Sequence, residues 1–259
     1  MSEEYTPPKV WAWNKESGGR FSAINRPIAG ATHEKDLPVG QHPLQLYSLA
    51  TPNGVKVTVM LEELLATGHK GAEYDAWLIQ IMAGEQFGSG FVSVNPNSKI
   101  PALLDRSTAT PTRVFESGAI LQYLGRKYEQ FYPTGERRKA EIDQWLFWQV
   151  GGLGPMAGQA LHFRTYANEK IPYGVERYTR EVARLFSVME RRLQDRDYLA
   201  AEYSIADIAC FPWVRRWPDL GQDMAQFPRL KSWFDRIAAR PAVIRGLQVG
   251  ADPAVRVNA

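Results

Sequence analysis

Cysteine is almost absent: Cys210 is the single one in 259 residues. One thiol can form neither an internal disulfide, nor a Cys-x-x-Cys redox pair, nor a thiolate metal cluster. It lies in the apolar helical run Ile205-Ala206-Asp207-Ile208-Ala209-Cys210-Phe211, where a buried, inert thiol is expected. Histidine is nearly as scarce. His33, His42, His69 and His162 are dispersed, none at metal-ligand spacing, so no metal site is expected. No apolar run approaches the roughly 18 residues that span a membrane, and the first sixteen residues lack the apolar stretch of a secretory signal. A cytoplasmic protein with no membrane partner is the expectation. Internal repeats and low-complexity segments are also missing. The net charge is only +3, and the basic clusters Arg137-Arg138-Lys139, Arg191-Arg192 and Arg215-Arg216 are scattered among acidic residues. They read as solvated helix faces, not as a nucleic-acid surface.

What is present is ordinary globular material, 44% hydrophobic and 23% charged, sufficient for one large domain or two modest ones. Residues 1–41 are rich in Gly, Pro and polar residues yet carry Trp11, Trp13 and Phe21, which suggests an extended arm that packs on the rest, the active site included. From Leu44 the pattern tightens. Leu44 to Leu49 reads as a strand, Thr51-Pro52-Asn53-Gly54 as a turn, and Val55 to Ala66 as a helix. Glu73 to Ile79 is a second strand, Gln80 to Ser98 an irregular stretch, Ala102 to Leu104 and Arg113 to Phe115 two further strands, followed by a helix to about Tyr128. The order βαβ, loop, ββα defines a small α/β domain over 42–129 with mixed strand directions. Gly125 to Gly135 reads as a linker. Residues 130–259 offer no convincing strand and are expected to form an all-helical domain with a C-terminal tail. Helices are expected over Arg137 to Gln149, broken or kinked by the Gly-rich segment 151–155, over Pro172 to Arg192, and from Phe227 to Arg240 with Pro241 as its stop. Ser204 and Asp207, three apart at a helix start, are a variant of the capping box.

The most specific local signal is Lys99-Ile100-Pro101-Ala102-Leu103 followed by Phe115-Glu116-Ser117-Gly118-Ala119-Ile120. Proline cannot donate to a ladder and belongs at the start of an edge strand or at a bulge, so Ile100 is expected to keep free backbone groups. A cis Ile100-Pro101 bond would aim them at a ligand. Glu116-Ser117 stands where strand turns to helix, so the Ser117 hydroxyl and first-turn N–H groups suit a carboxylate and Glu116 suits an ammonium. Together these describe a peptide-binding edge and a receptor for a small zwitterionic peptide.

With Thr51-Pro52-Asn53-Gly54-Val55-Lys56, Glu85-Gln86-Phe87, the Asn95 to Leu103 and Phe115 to Ile120 segments, and the run Trp145 to Pro155, the chain resembles the bacterial nu class of cytosolic glutathione transferases over about residues 43–245. The arm, with Asn25-Arg26-Pro27 and His33-Glu34-Lys35, is similar to that of the longer of its two types. The resemblance implies a thioredoxin-like glutathione-binding domain followed by an all-helical domain, a homodimer, and glutathione as cofactor. It further implies reduction of disulfides, with two glutathiones or one oxidised glutathione per site, some peroxidase activity on organic hydroperoxides, and weak conjugation.

Glutathione is a thiol of ordinary acidity, so a site must stabilise its thiolate. Thr51 and Asn53, in the turn before the first helix, are the residues the resemblance assigns to that task, with Pro52 beside them. It also assigns Ile100, Glu116 and Ser117 to the peptide, Gln86 and Lys99 to its glycine carboxylate, Gln144 to contact across the dimer interface, Arg177 to the second glutathione, and Asn25 of the arm to the site. No cysteine stands in the first turn, which excludes a glutaredoxin-type mechanism and leaves glutathione to supply the sulfur. Two alternatives stay open at this stage: a conventional transferase conjugating electrophiles, and a non-catalytic module that kept the fold.

Overall fold

The computed structural model describes residues 6–13, 21 and 24–251. Parts of the expected arm and the 252–259 tail lie outside the described residues. Strand β1 (Leu44–Ser48) leads through Leu49 to Thr51 into helix α1 (Pro52–Ala66). After β2 (Tyr74–Leu78) come two short 3-10 turns and α2 (Ser89–Val94), then β3 (Ala102–Asp105), β4 (Thr112–Phe115) and α3 (Ser117–Tyr128). The strands form one mixed sheet, in order β2-β1-β3-β4. β1 runs parallel to β2 (Leu44 opposite Tyr74) and antiparallel to β3 (Leu46 opposite Leu103), and β4 pairs antiparallel with β3. Strand alternation sorts the side chains by face. Leu44, Leu46 and Leu103 join the main core with α1 and α3, whereas Tyr47 and Ala102 point the other way and pack with Phe91 and Val94 of α2.

The remaining elements are helical: α4 (Glu136–Trp148), a π-helical segment Gln149–Leu153, α5 (Gly154–Leu161), a second π-helical segment His162–Tyr166, α6 (Pro172–Arg192), α7 (Ile205–Val214), α8 (Pro228–Ala238) and α9 (Pro241–Gln248). α7 and α9 both pack on α1, so the two halves share one continuous core.

Several expectations are corrected. β3 is interior to the sheet, not an edge; Pro101 precedes the ladder, so it removes no interstrand bond. The stretch 80–98 is not wholly irregular, because Phe91 and Val94 gain a helix by packing on the sheet. Gly125 belongs to α3, where a Cβ would approach Tyr132 Cβ to 2.7 Å. The Gly-rich segment 151–155 does not break the helix: the π-helical segment Gln149–Leu153 leads directly into α5 at Gly154. The helix that ends before Pro241 is not the last: Pro241 opens α9, where a missing N–H costs nothing.

Candidate active site

α1 begins hard against the end of β1. A Cβ on Gly54 would lie 2.0 Å from Leu49 O and 2.5 Å from Ser48 Oγ, so only glycine allows this approach. Thr51 is the N-cap of α1, its hydroxyl oxygen accepting from Gly54 N at 3.3 Å. That bond uses an acceptor and leaves the hydroxyl proton free to donate. Asn53, in the first turn, has its Oδ1 held by Trp213 Nε1 of α7 at 3.0 Å. The amide is thereby locked by its oxygen, and its nitrogen remains available as a donor.

Asn53 opens onto a cavity of about 680 Å³ between the two halves. Lys56 of α1, Lys99, Glu116 and Ser117 line its sheet side; Gln149, His162 and Tyr166 line its helical side; Phe21, Ile24 and Asn25 of the arm complete it. Lys99 Nζ donates to Ile24 O and Asn25 Oδ1, both at 3.3 Å, and Phe21 meets Tyr166 edge-on at 5.1 Å between centroids. The arm thus ties to both sides of the cavity. Burial pushes the Lys99 pKa down.

The Ile100-Pro101 bond is cis. Ile100 lies outside β3, and among the described residues its backbone groups take part in no hydrogen bond. Glu116 has φ 68° and ψ 118°, an unusual conformation for a residue with a side chain, and Ser117 starts α3. Both residues line the cavity.

The structure therefore brings together Asn25, Asn53, Lys99, Glu116 and Ser117, with Thr51 and Pro52 at the same helix start. Four others do not line this cavity: Ile100, although its chain neighbour Lys99 does, and Gln86, Gln144 and Arg177. Gln86 is 2% exposed and turned inward, its Nε2 donating to Ile81 O at 3.1 Å. Gln144 is exposed on α4, and Arg177 lines a separate cleft on α6 beside Met156 and Glu181. Sequence reasoning gave no role to Lys56, Gln149 or Trp213. Lys56 and Gln149 stand inside quoted motifs, so a signal existed; Trp213, 160 residues from Asn53, had none.

Cys210 is 0% exposed on α7, and burial raises its thiol pKa well above the ordinary value. No protein thiol therefore faces the cavity among the described residues.

Comparison with known proteins agrees with this architecture. The glutathione S-transferase N-terminal domain model matches residues 42–126 and the C-terminal domain model residues 162–241. The chain is 51% identical over 250 residues to the disulfide-bond oxidoreductase YghU of Escherichia coli (strain K12), covering 93% of this chain and 87% of that one. A solved glutathione transferase YghU from Streptococcus pneumoniae ATCC 700669, complexed with glutathione, superposes with a TM-score of 0.90 at 45% identity, covering 95% of this chain and 98% of the other. A glutathione transferase from Pseudomonas putida with one glutathione disulfide bound per subunit superposes at 0.74 with 40% identity, over 81% of this chain and 94% of that one. A thioredoxin-like α/β domain, a helical domain and a cavity between them, matched by both family models, have one reading: the chain belongs to the glutathione S-transferase family.

Proposed function

We propose that the chain is a glutathione-dependent disulfide-bond reductase, acting as a cytoplasmic homodimer on small disulfides, with peroxidase activity toward organic hydroperoxides as a side reaction. The observation that carries this reading is a cavity of converging donors into which the protein projects no thiol. The residues present fit glutathione. Glu116 and Ser117 offer a carboxylate and a hydroxyl to an amino-acid end, Ile100, next to the cavity-lining Lys99 in the chain, keeps backbone groups for the peptide's middle, and the buried Gln149 Nε2 has no partner of its own. When bound, glutathione supplies the thiols, two of them becoming one glutathione disulfide as one substrate disulfide becomes two thiols.

The chain's own residues do the rest. Thr51 O–H, the Asn53 amide nitrogen and the N-terminus of α1 favour negative charge on a sulfur placed at that turn. Asn53 does so in a fixed orientation because Trp213 holds its oxygen. Asn25 and Lys99, hydrogen-bonded to each other, line the same cavity. Gln144 and Arg177 fall outside the cavity of one chain, and the role assigned to Gln144, a contact across the dimer interface, calls for a second subunit. Phe147, 61% exposed on the same helix as Gln144, supplies apolar surface for such an interface.

The test is reduction of 2-hydroxyethyl disulfide by glutathione, with Cys210→Ala and Asn53→Ala alongside the unaltered protein. Cys210→Ala is expected to keep full activity and Asn53→Ala to lose about 10- to 100-fold, the worth of one donor to a developing charge. A folded Cys210→Ala protein without activity would overturn the proposal. So would an unaltered protein that conjugates 1-chloro-2,4-dinitrobenzene but leaves disulfides untouched.

A further inference from the structure

Lys56 is 1% exposed on α1, yet it lines the cavity. Its Nζ donates to Ser117 Oγ at 3.1 Å and to Gln149 Oε1 at 2.5 Å, bridging α1, α3 and the segment that follows α4. An ammonium carries donors only, so it sets the sense of both bonds. The Ser117 oxygen must accept, which turns its own proton elsewhere. The Gln149 carbonyl must accept, which fixes the amide with Nε2 on the far side. That Nε2 belongs to a residue of 0% exposure and has no hydrogen-bond partner. A buried amide N–H left alone is destabilising, so its persistence in a cavity wall calls for a ligand acceptor. Gly154 leaves the space beside it open, since a Cβ there would stand 2.7 Å from Nε2.

The charges close the assignment. Glu116, the chain neighbour of Ser117, lines the same cavity with a carboxylate, so the cavity offers groups for an anion and for a cation. Of the two ends of glutathione, only the γ-glutamyl end carries a carboxylate and an ammonium on one carbon. We propose that Lys56 is the positioning residue of this subsite: it turns the Ser117 hydroxyl and the Gln149 amide into paired donors for the γ-glutamyl α-carboxylate, whose ammonium goes to Glu116. The inference rests on the glutathione reading and adds two residues, one from each half of the molecule. Burial pushes the Lys56 pKa down to about 7, and an incoming carboxylate offsets that desolvation.

Lys56 also ties three elements together, so the test must separate positioning from packing. Binding of S-methylglutathione is compared by calorimetry at pH 6.5 with binding of the analogue carrying 4-aminobutyryl in place of γ-glutamyl. That analogue keeps the amine and lacks only the α-carboxylate. The unaltered protein is expected to favour S-methylglutathione by about 10- to 100-fold, the worth of hydrogen bonds to a charged group. Lys56→Met is expected to lose most of that preference while binding the analogue within about twofold of the unaltered protein. Gln149→Leu, which leaves Lys56 in place, is expected to lose part of it and serves if Lys56→Met does not fold. Equal weakening of both peptides, or an undiminished preference in either variant, would overturn the positioning role. Failure of the unaltered protein to bind either peptide would overturn the glutathione reading itself, and the inference with it.

Discussion

Glu116 holds φ at 68° and ψ at 118°, where a Cβ is crowded by the backbone and the cost is about 1–3 kcal/mol. Glycine would relieve that strain at an entropic cost of about 0.5–1 kcal/mol. The Glu116→Gly protein is therefore expected to be as stable as the original or more stable by about 1 kcal/mol, as read by urea unfolding. Its affinity for S-methylglutathione is expected to fall at least about tenfold, because the carboxylate that faces the ligand ammonium is gone. A variant that lost stability and kept affinity would show that Glu116 serves the fold and not the ligand. The residue was legible in sequence through its position between strand and helix, although its backbone conformation was not. Lys56 shows the opposite case. A lysine in the second turn of a helix reads as solvent-facing, and what buries it arrives from Ser117 and Gln149, 61 and 93 residues away.

α7 is built on its cap. Asp207 is fully buried, and its carboxylate accepts from Ser204 N, Ser204 Oγ, Leu199 N and Trp233 Nε1 of α8. Asp207→Ala would strand several of these donors, at an expected cost of about 3 kcal/mol or more. Burial raises the Asp207 pKa to about 6 against the pull of those bonds, from 3.8 for an ordinary Asp. The folded state thus holds the proton more tightly than the unfolded one. This group's contribution is full below about pH 4 and declines by of order 1 kcal/mol per pH unit up to about pH 6. The stability gap between the original and Asp207→Ala should narrow across that window, as followed by urea midpoints at several pH values; a gap that widens with pH would refute the assignment. The cap itself was legible because its two residues are three apart. α2 and α9 were not. α2 lacks helix formers and exists through Phe91 and Val94 packed on the sheet, while Pro241 is as good a helix start as a helix stop until its surroundings are known.

The molecule is joined through α1. Its first half presents Asn53 and Lys56 to the cavity, just after the Thr51 cap, and its second half carries Glu62 and Glu63, both almost fully buried. Arg245 of α9 answers Glu62 at 2.9 Å, and Arg240, just before α9, binds both oxygens of Glu63 at 2.5 and 2.8 Å. The Arg240 guanidinium also lies 4.1 Å over the Tyr203 ring, and its pKa is raised by the bond to Glu63. These ties reach α1 from about 180 residues further along the chain, and no local pattern announces them. The consequence is that the last helices fix the helix that bears the site. Arg240→Leu leaves Glu63, 2% exposed, without its bidentate partner, and the expected loss is about 3–5 kcal/mol. Because α9 and α1 share one core, that loss should appear as a single cooperative transition at lower urea and not as early release of the C-terminus. Tryptophan fluorescence and far-UV dichroism, followed together, check this. Coincident curves are expected, and a separate early phase in one of them would show that α1 stands without the C-terminal helices.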